Sequence, residues 1–323
     1  MKAAVLHELG QAPRFEEFVE PAANGTDEAI IRVRAASLKP VEKQMASGSH
    51  YASPRELPVI CGIDGVGELE DGTRVFFAGA RRPYGTMAER TVAPRAFCFP
   101  APAGEDAIDD ATLAALPNPG VSAWLTLAHR AKLQRGETVL ILGATGITGQ
   151  LAVQIAKILG ASRVVAAGRN QAALDRLLQI GADAIIQLEQ DADALKQSFT
   201  REAGGAGFDV VIDYLWGKPT ETLLAALTRS QFAPVIKETR LVQVGESAGP
   251  TISLPAAVLR STAITIMGTA GMPSRDALMD AMQQVLSRGA HGELRIETEK
   301  VPLADVEQAW QRQEPGRRIV LIP

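Results

Sequence analysis

The stretch Gly143-Ala-Thr-Gly-Ile-Thr-Gly149 carries the clearest chemistry in this chain. It stands between an apolar run, Thr138 to Leu142, and a segment with apolar residues at Leu151, Ile155, Ile158 and Leu159. That order reads as a buried strand, a tight turn and an amphipathic helix. In a dinucleotide fingerprint the first glycine permits the turn, the second lets the backbone approach a pyrophosphate, and the third lets the helix pack against the strand. Ala144, Gly146 and Gly149 occupy those three places, with Ala for the first Gly. Thr145, Ile147 and Thr148 complete the loop and helix start, whose free N–H groups and positive dipole end suit phosphates. A second apolar strand, Arg163 to Ala167, follows, so a bound dinucleotide is the leading expectation and a plain tight turn the alternative.

The tip of that second strand should select the cofactor. An acidic residue there holds a ribose 2′-hydroxyl, whereas an Arg accommodates a 2′-phosphate. The chain has Gly168-Arg169-Asn170 and no carboxylate. A guanidinium donates in a planar fork and keeps its charge, so Arg169 predicts NADP(H) over NAD(H); a solvated turn Arg is the other reading. Asn170 can add an amide donor or cap the next helix. Tyr214 and Gly245 end later strands at the carboxyl edge, where ligands bind in open α/β sheets; a packing aromatic and a turn glycine are their alternatives.

These residues need a scaffold, and 323 residues suggest two domains. Residues 1–115 are β-rich, with short apolar runs between Gly, Pro and Asp turn signals. From 116 to 288 helices and strands alternate. Six strands with crossover helices predict a doubly wound parallel sheet. Residues 289–323 return to short strands and are expected to complete the first domain. Helices are expected over Val121–Leu133, Thr220–Thr228 and Leu303–Arg312. A net charge of −4 and pI near 5.7 argue against nucleic-acid or anionic-membrane surfaces. No apolar run reaches the ~18 residues of a spanning helix. Two cysteines, Cys61 and Cys98, fit a reducing cytoplasm better than a disulfide framework.

Several landmarks in order resemble one family. They are Ala36-Ser-Leu-Lys-Pro-Val-Glu42, Leu57-Pro-Val-Ile-Cys-Gly-Ile-Asp-Gly-Val-Gly67, Gly85-Thr-Met-Ala-Glu89, Gly120-Val-Ser-Ala-Trp124, the glycine fingerprint, Asp209-Val-Val-Ile-Asp213 and Val244-Gly-Glu246. Together they resemble the medium-chain dehydrogenase/reductase superfamily in its zinc-free quinone oxidoreductase branch. The resemblance implies a GroES-like β domain, a Rossmann domain and an active-site cleft between them. It adds Ser122, in place of a family Thr, together with Glu246 and Ser247, to the expected cofactor contacts; helix capping is the alternative for Ser122. Leu188 stands where relatives often carry a Tyr, and Arg317 is the candidate to compensate at the adenosine phosphate.

Alcohol dehydrogenases of the superfamily place a Cys in the early element and a Gly-His-Glu where this chain has Gly62-Ile63-Asp64. No zinc ligand set is visible, so no metal is expected. The resemblance implies Lys39 and Tyr51 as the catalytic candidates, with a solvated cation and a cleft-wall aromatic as their respective alternatives. The expected activity is NADPH-dependent hydride transfer to a quinone or an α,β-unsaturated carbonyl. A 2-alkenal or enoyl-thioester reductase, and a non-catalytic NADPH-binding sensor or partner subunit, remain open. A homodimer is expected through the apolar edge strand Ala263 to Met267.

Overall fold

The computed structural model describes residues 1–104, 107–228, 237–269, 273–313 and 316–323. Its contacts divide the chain into two units, Met1–Asn118 with Gln284–Pro323, and Pro119–Gln283.

The first unit opens with β1 (Lys2–Leu6), β2 (Arg14–Glu17) and the long β3 (Glu28–Ser37). Along most of β3 buried and exposed positions alternate, the pattern of a strand with one face on a core. Helix α1 (Pro40–Ser47) follows at once. The sequence reading passed over it, although its end signals are standard: Pro at the first turn, Glu42 three residues after the cap, and Gly48 at the exit with φ 82°. Strands β4 (Val59–Ile60), β5 (Asp64–Glu68), β6 (Arg74–Ala78), β7 (Arg90–Pro94) and β8 (Cys98–Pro100) complete the N-terminal part. A short helix, α2 (Asp110–Ala115), is capped by Asp109, whose Oδ1 accepts from the Ala111 amide at 3.0 Å.

The second unit begins with α3 (Pro117–Trp124, its first two residues before the division), continued by a π-type turn over Leu125–Arg130. The expected helix Val121–Leu133 is therefore displaced toward the N-terminus. Pro117, which lacks an N–H, is tolerated in a first helical turn. Then β9 (Thr138–Leu142), α4 (Ile147–Ile158), β10 (Arg163–Gly168), α5 (Gln171–Gln179), β11 (Ala184–Gln187), α6 (Ala192–Ala203), β12 (Val210–Asp213), α7 (Gly217–Leu227), β13 (Thr239–Gln243), α8 (Ala256–Ser261), β14 (Ile264–Gly268) and α9 (Arg275–Ala290) alternate. The six strands pair in parallel in the order β11-β10-β9-β12-β13-β14. Counted from β9 this is the 3-2-1-4-5-6 order of a Rossmann domain. Strands β9 and β10 are buried on both faces, as a sheet covered by helices on each side requires. One side of this core holds Phe199 and Phe208, both fully buried, among Leu140, Val165, Val211 and Leu241.

The tail supplies β15 (Thr298–Pro302), α10 (Val306–Gln311) and β16 (Arg318–Ile322). Strand β16 pairs antiparallel with β3, Leu321 opposite Ala36, and parallel with β15. The strands of the first unit form a three-stranded sheet, β2-β1-β4, and a seven-stranded one, β15-β16-β3-β5-β6-β8 with β7 on β3. Among the described residues no helix is long and apolar enough to cross a membrane.

The packing around Phe208 is directly testable. Phe208→Ala should destabilise the parallel-sheet unit by about 3–5 kcal/mol, from lost transfer energy and the cavity left behind. Urea unfolding followed by circular dichroism measures this, and a loss below ~1 kcal/mol would contradict a close-packed core there.

Candidate active site

In the parallel-sheet unit the turn after β9 is built from backbone contacts. Gly143 adopts φ 84°, so the left-handed residue of the turn is Gly143 itself, one place before the expected Ala144. The Gly143 and Ala144 amides both donate to Ala167 O at 2.9 Å, which fastens the turn to β10. Ala144 is fully buried beneath it. A Cβ on Gly149 would lie 2.4 Å from Gly143 O and 2.6 Å from Ala144 Cα, so only glycine lets α4 pack this close to the turn. A Cβ on the exposed Gly146 would meet nothing nearer than Gly143 O at 3.5 Å. Gly146 is the N-cap of α4 and no side chain caps that helix. The first-turn N–H groups of Ile147 and Thr148 therefore have no side-chain cap among the described residues, and such groups suit an anion. Thr145 packs toward β10, its methyl 2.5 Å from where a side chain on Gly168 would begin.

At the tip of β10, Arg169 is exposed and has no carboxylate partner among the described residues, while its carbonyl accepts from Gln187 Nε2 at 3.0 Å. Asn170 caps α5, its Oδ1 accepting from the Ala173 amide at 2.9 Å. Leu188, buried, donates its amide to Gly168 O.

The end of β12 is organised by Asp213, which the sequence reading had noted only as part of a landmark. Its fully buried carboxylate accepts from the Leu215 and Trp216 amides at 2.8 Å and from Thr220 Oγ1 at 2.5 Å. Burial pushes this carboxyl above the usual range, against the pull of those donors. The fixed bend brings Tyr214 toward Gly143 and toward Gly245, where a Cβ would lie 2.8 Å from Tyr214 O. Ser247 Oγ donates to the same carbonyl at 3.1 Å. Gly143, Tyr214, Gly245 and Ser247 thus meet at the carboxyl edge of the sheet. The Tyr214 hydroxyl is buried without a hydrogen-bond partner, and burial pushes the phenol's pKa up. Such an orphan is a site for an incoming polar group. Glu246 is exposed beside them. Ser122 lies inside α3, past its first turn, and its carbonyl accepts from Thr126 Oγ1 at 2.8 Å, so it does not cap the helix.

In the β-rich unit Lys39 is 2 % exposed, not a solvated loop cation. It is the N-cap of α1, and its amide donates to Glu42 Oε2 at 2.7 Å. Its Nζ lies 2.7 Å from Asp64 Oδ1, 3.2 Å from Glu42 Oε1 and 3.1 Å from Ser37 O. Arg318, also buried, donates from Nη1 to Leu38 O at 3.1 Å. Burial lowers the Arg318 pKa, and Glu42 and Asp64 act in the opposite direction. Burial likewise pushes the Glu42 carboxyl up against the pull of Lys39. Two cations and two carboxylates therefore share one dry site. The sequence signal for it was charge embedded in apolar strands, in Asp64 and Arg318. Among the described residues no group of three or more His, Cys, Asp or Glu is placed to hold a metal ion.

Tyr51 sits in the loop beyond α1, 97 % exposed, its ring 4.1 Å from that of His50. Arg317 belongs to the β-rich unit, where it faces Glu299 at 3.6 Å and Glu297 at 3.9 Å. Cys61 is buried and its thiol pKa is pushed up, which keeps it protonated.

Removing Lys39 would leave two buried carboxylates facing each other. Lys39→Met should cost about 3–5 kcal/mol in urea unfolding, the scale for breaking a buried ion pair from one side. A variant as stable as the parent would show that the cluster carries no net electrostatic stabilisation.

Comparison with known proteins agrees with this architecture. The family described as zinc-binding dehydrogenase matches residues 148–287, a stretch that excludes Lys39, Glu42 and Asp64. A quinone oxidoreductase from Rattus norvegicus is 30% identical over 230 residues, covering 68% of this chain and 67% of that protein. A trans-enoyl reductase from Aspergillus terreus is 28% identical over 222 residues, 62% of this chain and 58% of that one. The quinone oxidoreductase of Thermus thermophilus, whose structure was determined alone and with NADPH, superposes with a TM-score of 0.79 at 28% identity over 100% of both chains. The chain belongs to the medium-chain dehydrogenase/reductase superfamily, in its quinone oxidoreductase branch.

Proposed function

We propose that the protein is an NADPH-dependent reductase that passes hydride to a quinone or an α,β-unsaturated carbonyl compound. The uncapped start of α4 behind the Gly143 turn is the observation that carries this reading. It offers backbone N–H groups to a pyrophosphate, with open space over Gly146. When bound, the nicotinamide supplies the hydride. Arg169, unpaired at the tip of β10, fits a 2′-phosphate. Tyr214, Gly245, Glu246 and Ser247 line the same edge, and the Tyr214 hydroxyl can donate to the cofactor there. Ser122 is assigned to the nicotinamide end; the role suggested for Arg317 at the adenosine phosphate is without support within its own unit, where it faces Glu299 and Glu297.

On the substrate side, Tyr51 presents a free phenol able to orient or protonate a developing oxyanion. Lys39 would act through its fixed charge, because its ammonium is already held by Glu42 and Asp64. Enoyl reduction is the second reading, favoured by the likeness to the Aspergillus terreus trans-enoyl reductase. The same hydride geometry serves both, and a panel of quinones and enals assayed by NADPH oxidation at 340 nm separates them. NADPH binding without turnover of any compound in the panel would favour a sensor.

Arg169→Ala should weaken NADPH by about ten- to a hundredfold, the effect of losing a charge-assisted hydrogen bond, and leave NADH nearly unchanged. Fluorescence titration with both cofactors reads this directly. Equal losses would rule out a phosphate clamp.

Tyr51→Phe should lower kcat on the best substrate without changing NADPH affinity. Full kcat in the variant would leave Tyr51 as surface only. Pairing of two copies through the edge of β14, whose one neighbour in the sheet among the described residues is β13, completes the proposal. A monomer at all concentrations in sedimentation would oppose it.

A further inference from the structure

The β-rich unit carries an open-sided pocket of about 230 Å³ lined by its own residues. Met45 and Ala46 of α1 form one wall, and Val59, Cys61 and Ile63 form another. These surfaces are apolar, and burial keeps the Cys61 thiol neutral. The Glu42 carboxylate also borders the space, but its oxygens accept from the Lys39 ammonium, the Lys39 amide and the Ile63 amide. Three donors engage it, and Lys39 and Arg318 together offset its charge and that of Asp64.

Arg82 also lines the cavity, and it is the one lining cation. Its side chain is exposed, and Nη2 donates to Ala52 O at 2.7 Å. Among the described residues no carboxylate pairs with it. The bond to Ala52 holds the guanidinium against the loop that carries Tyr51, one residue away. An apolar chamber with an unpaired guanidinium at its border has the makings of a site for an apolar acid: the walls take the body and the fork takes the carboxylate.

Size narrows the class. A cavity of roughly 150 Å³ holds benzene, and drug-sized sites start at roughly 300 Å³. The volume matches a single ring with short substituents, or a short chain.

We infer that this cavity binds the substrate, and that the substrate is a small unsaturated or quinonoid acid whose carboxylate is held by Arg82. The role as substrate rests on the reductase reading; the binding of the acid does not.

The test uses β-benzoylacrylate and its methyl ester, an enone pair differing in one charge. Binding is measured by calorimetry on the full chain without NADPH, and turnover with NADPH. The acid should bind at least tenfold more tightly than the ester. Arg82→Met should remove that preference while changing ester binding less than twofold, and Arg82→Lys should keep part of it. Met45→Trp, which fills the chamber, should weaken both compounds. Circular dichroism confirms that each variant is folded.

An acid that binds no better than its ester, or a preference that survives in Arg82→Met, overturns the inference. So does undiminished binding in folded Met45→Trp. If Met45→Trp does not fold, the Arg82 variants decide alone. If the acid binds through Arg82 but neither compound is reduced, the reductase reading falls and the acid site stands. If both are reduced without dependence on Arg82, the acid site falls and the reductase reading stands.

Discussion

Everything in the β-rich unit converges on one buried balance of charge. Lys39 and Arg318 bring two positive charges into a dry interior, and Glu42 and Asp64 bring two negative ones. None of the four could remain there alone, because an unpaired ion in such surroundings costs several kcal/mol. They come from three elements: Lys39 and Glu42 from the cap and first turn of α1, Asp64 from the start of β5 and Arg318 from the start of β16. The balance therefore fixes how those elements meet. Around it, Thr86 Oγ1 donates to Asp64 O at 2.8 Å, and the Ile63 amide donates to Glu42.

The parallel-sheet unit solves a different problem by different means. Its ligand edge contains little charge and is shaped by close approaches of backbone. Gly143 bends the chain, Gly149 lets the helix close on the bend, and Gly245 lets the next loop touch Tyr214. Asp213 then holds the far side with three hydrogen bonds from its own following residues. In the proposed reading an anion meets backbone N–H groups and a helix dipole there, with the Arg169 guanidinium beside them.

Residue order made the nucleotide edge legible, because the glycine spacing and the strand–helix rhythm are local properties. The edge strand and the six-strand count could be read from apolar runs for the same reason. That the left-handed conformation falls at Gly143, directly before Ala144, could not be read from spacing, which specifies positions and not φ. Helix α1 was hidden inside a family landmark, and α2 and α8 are too short, at six residues each, to show periodicity. The partners of Lys39 could not be read at all. Glu42 is adjacent in the helix, but Asp64 and Arg318 reach it only through pairings between distant segments. The resemblance singled out Tyr51 as a catalytic candidate, with a cleft-wall aromatic as its alternative; its near-complete exposure depends on a loop that no local pattern determines.

The pairing of β16 with β3 also sets an order of events during synthesis. Strand β3 leaves the ribosome early, but its neighbour on one side consists of residues 318–322. Between them lies the whole of the parallel-sheet unit, residues 119–283. That unit draws its strands from one continuous stretch and can close while translation continues. The N-terminal sheet must wait with an open edge and an unbalanced pocket, since Arg318 arrives last. Because domains fold as units, the contiguous central one can be complete before the sheet that brackets it in sequence. A ribosome stalled before residue 318 would therefore display a finished nucleotide fold attached to an unfinished partner.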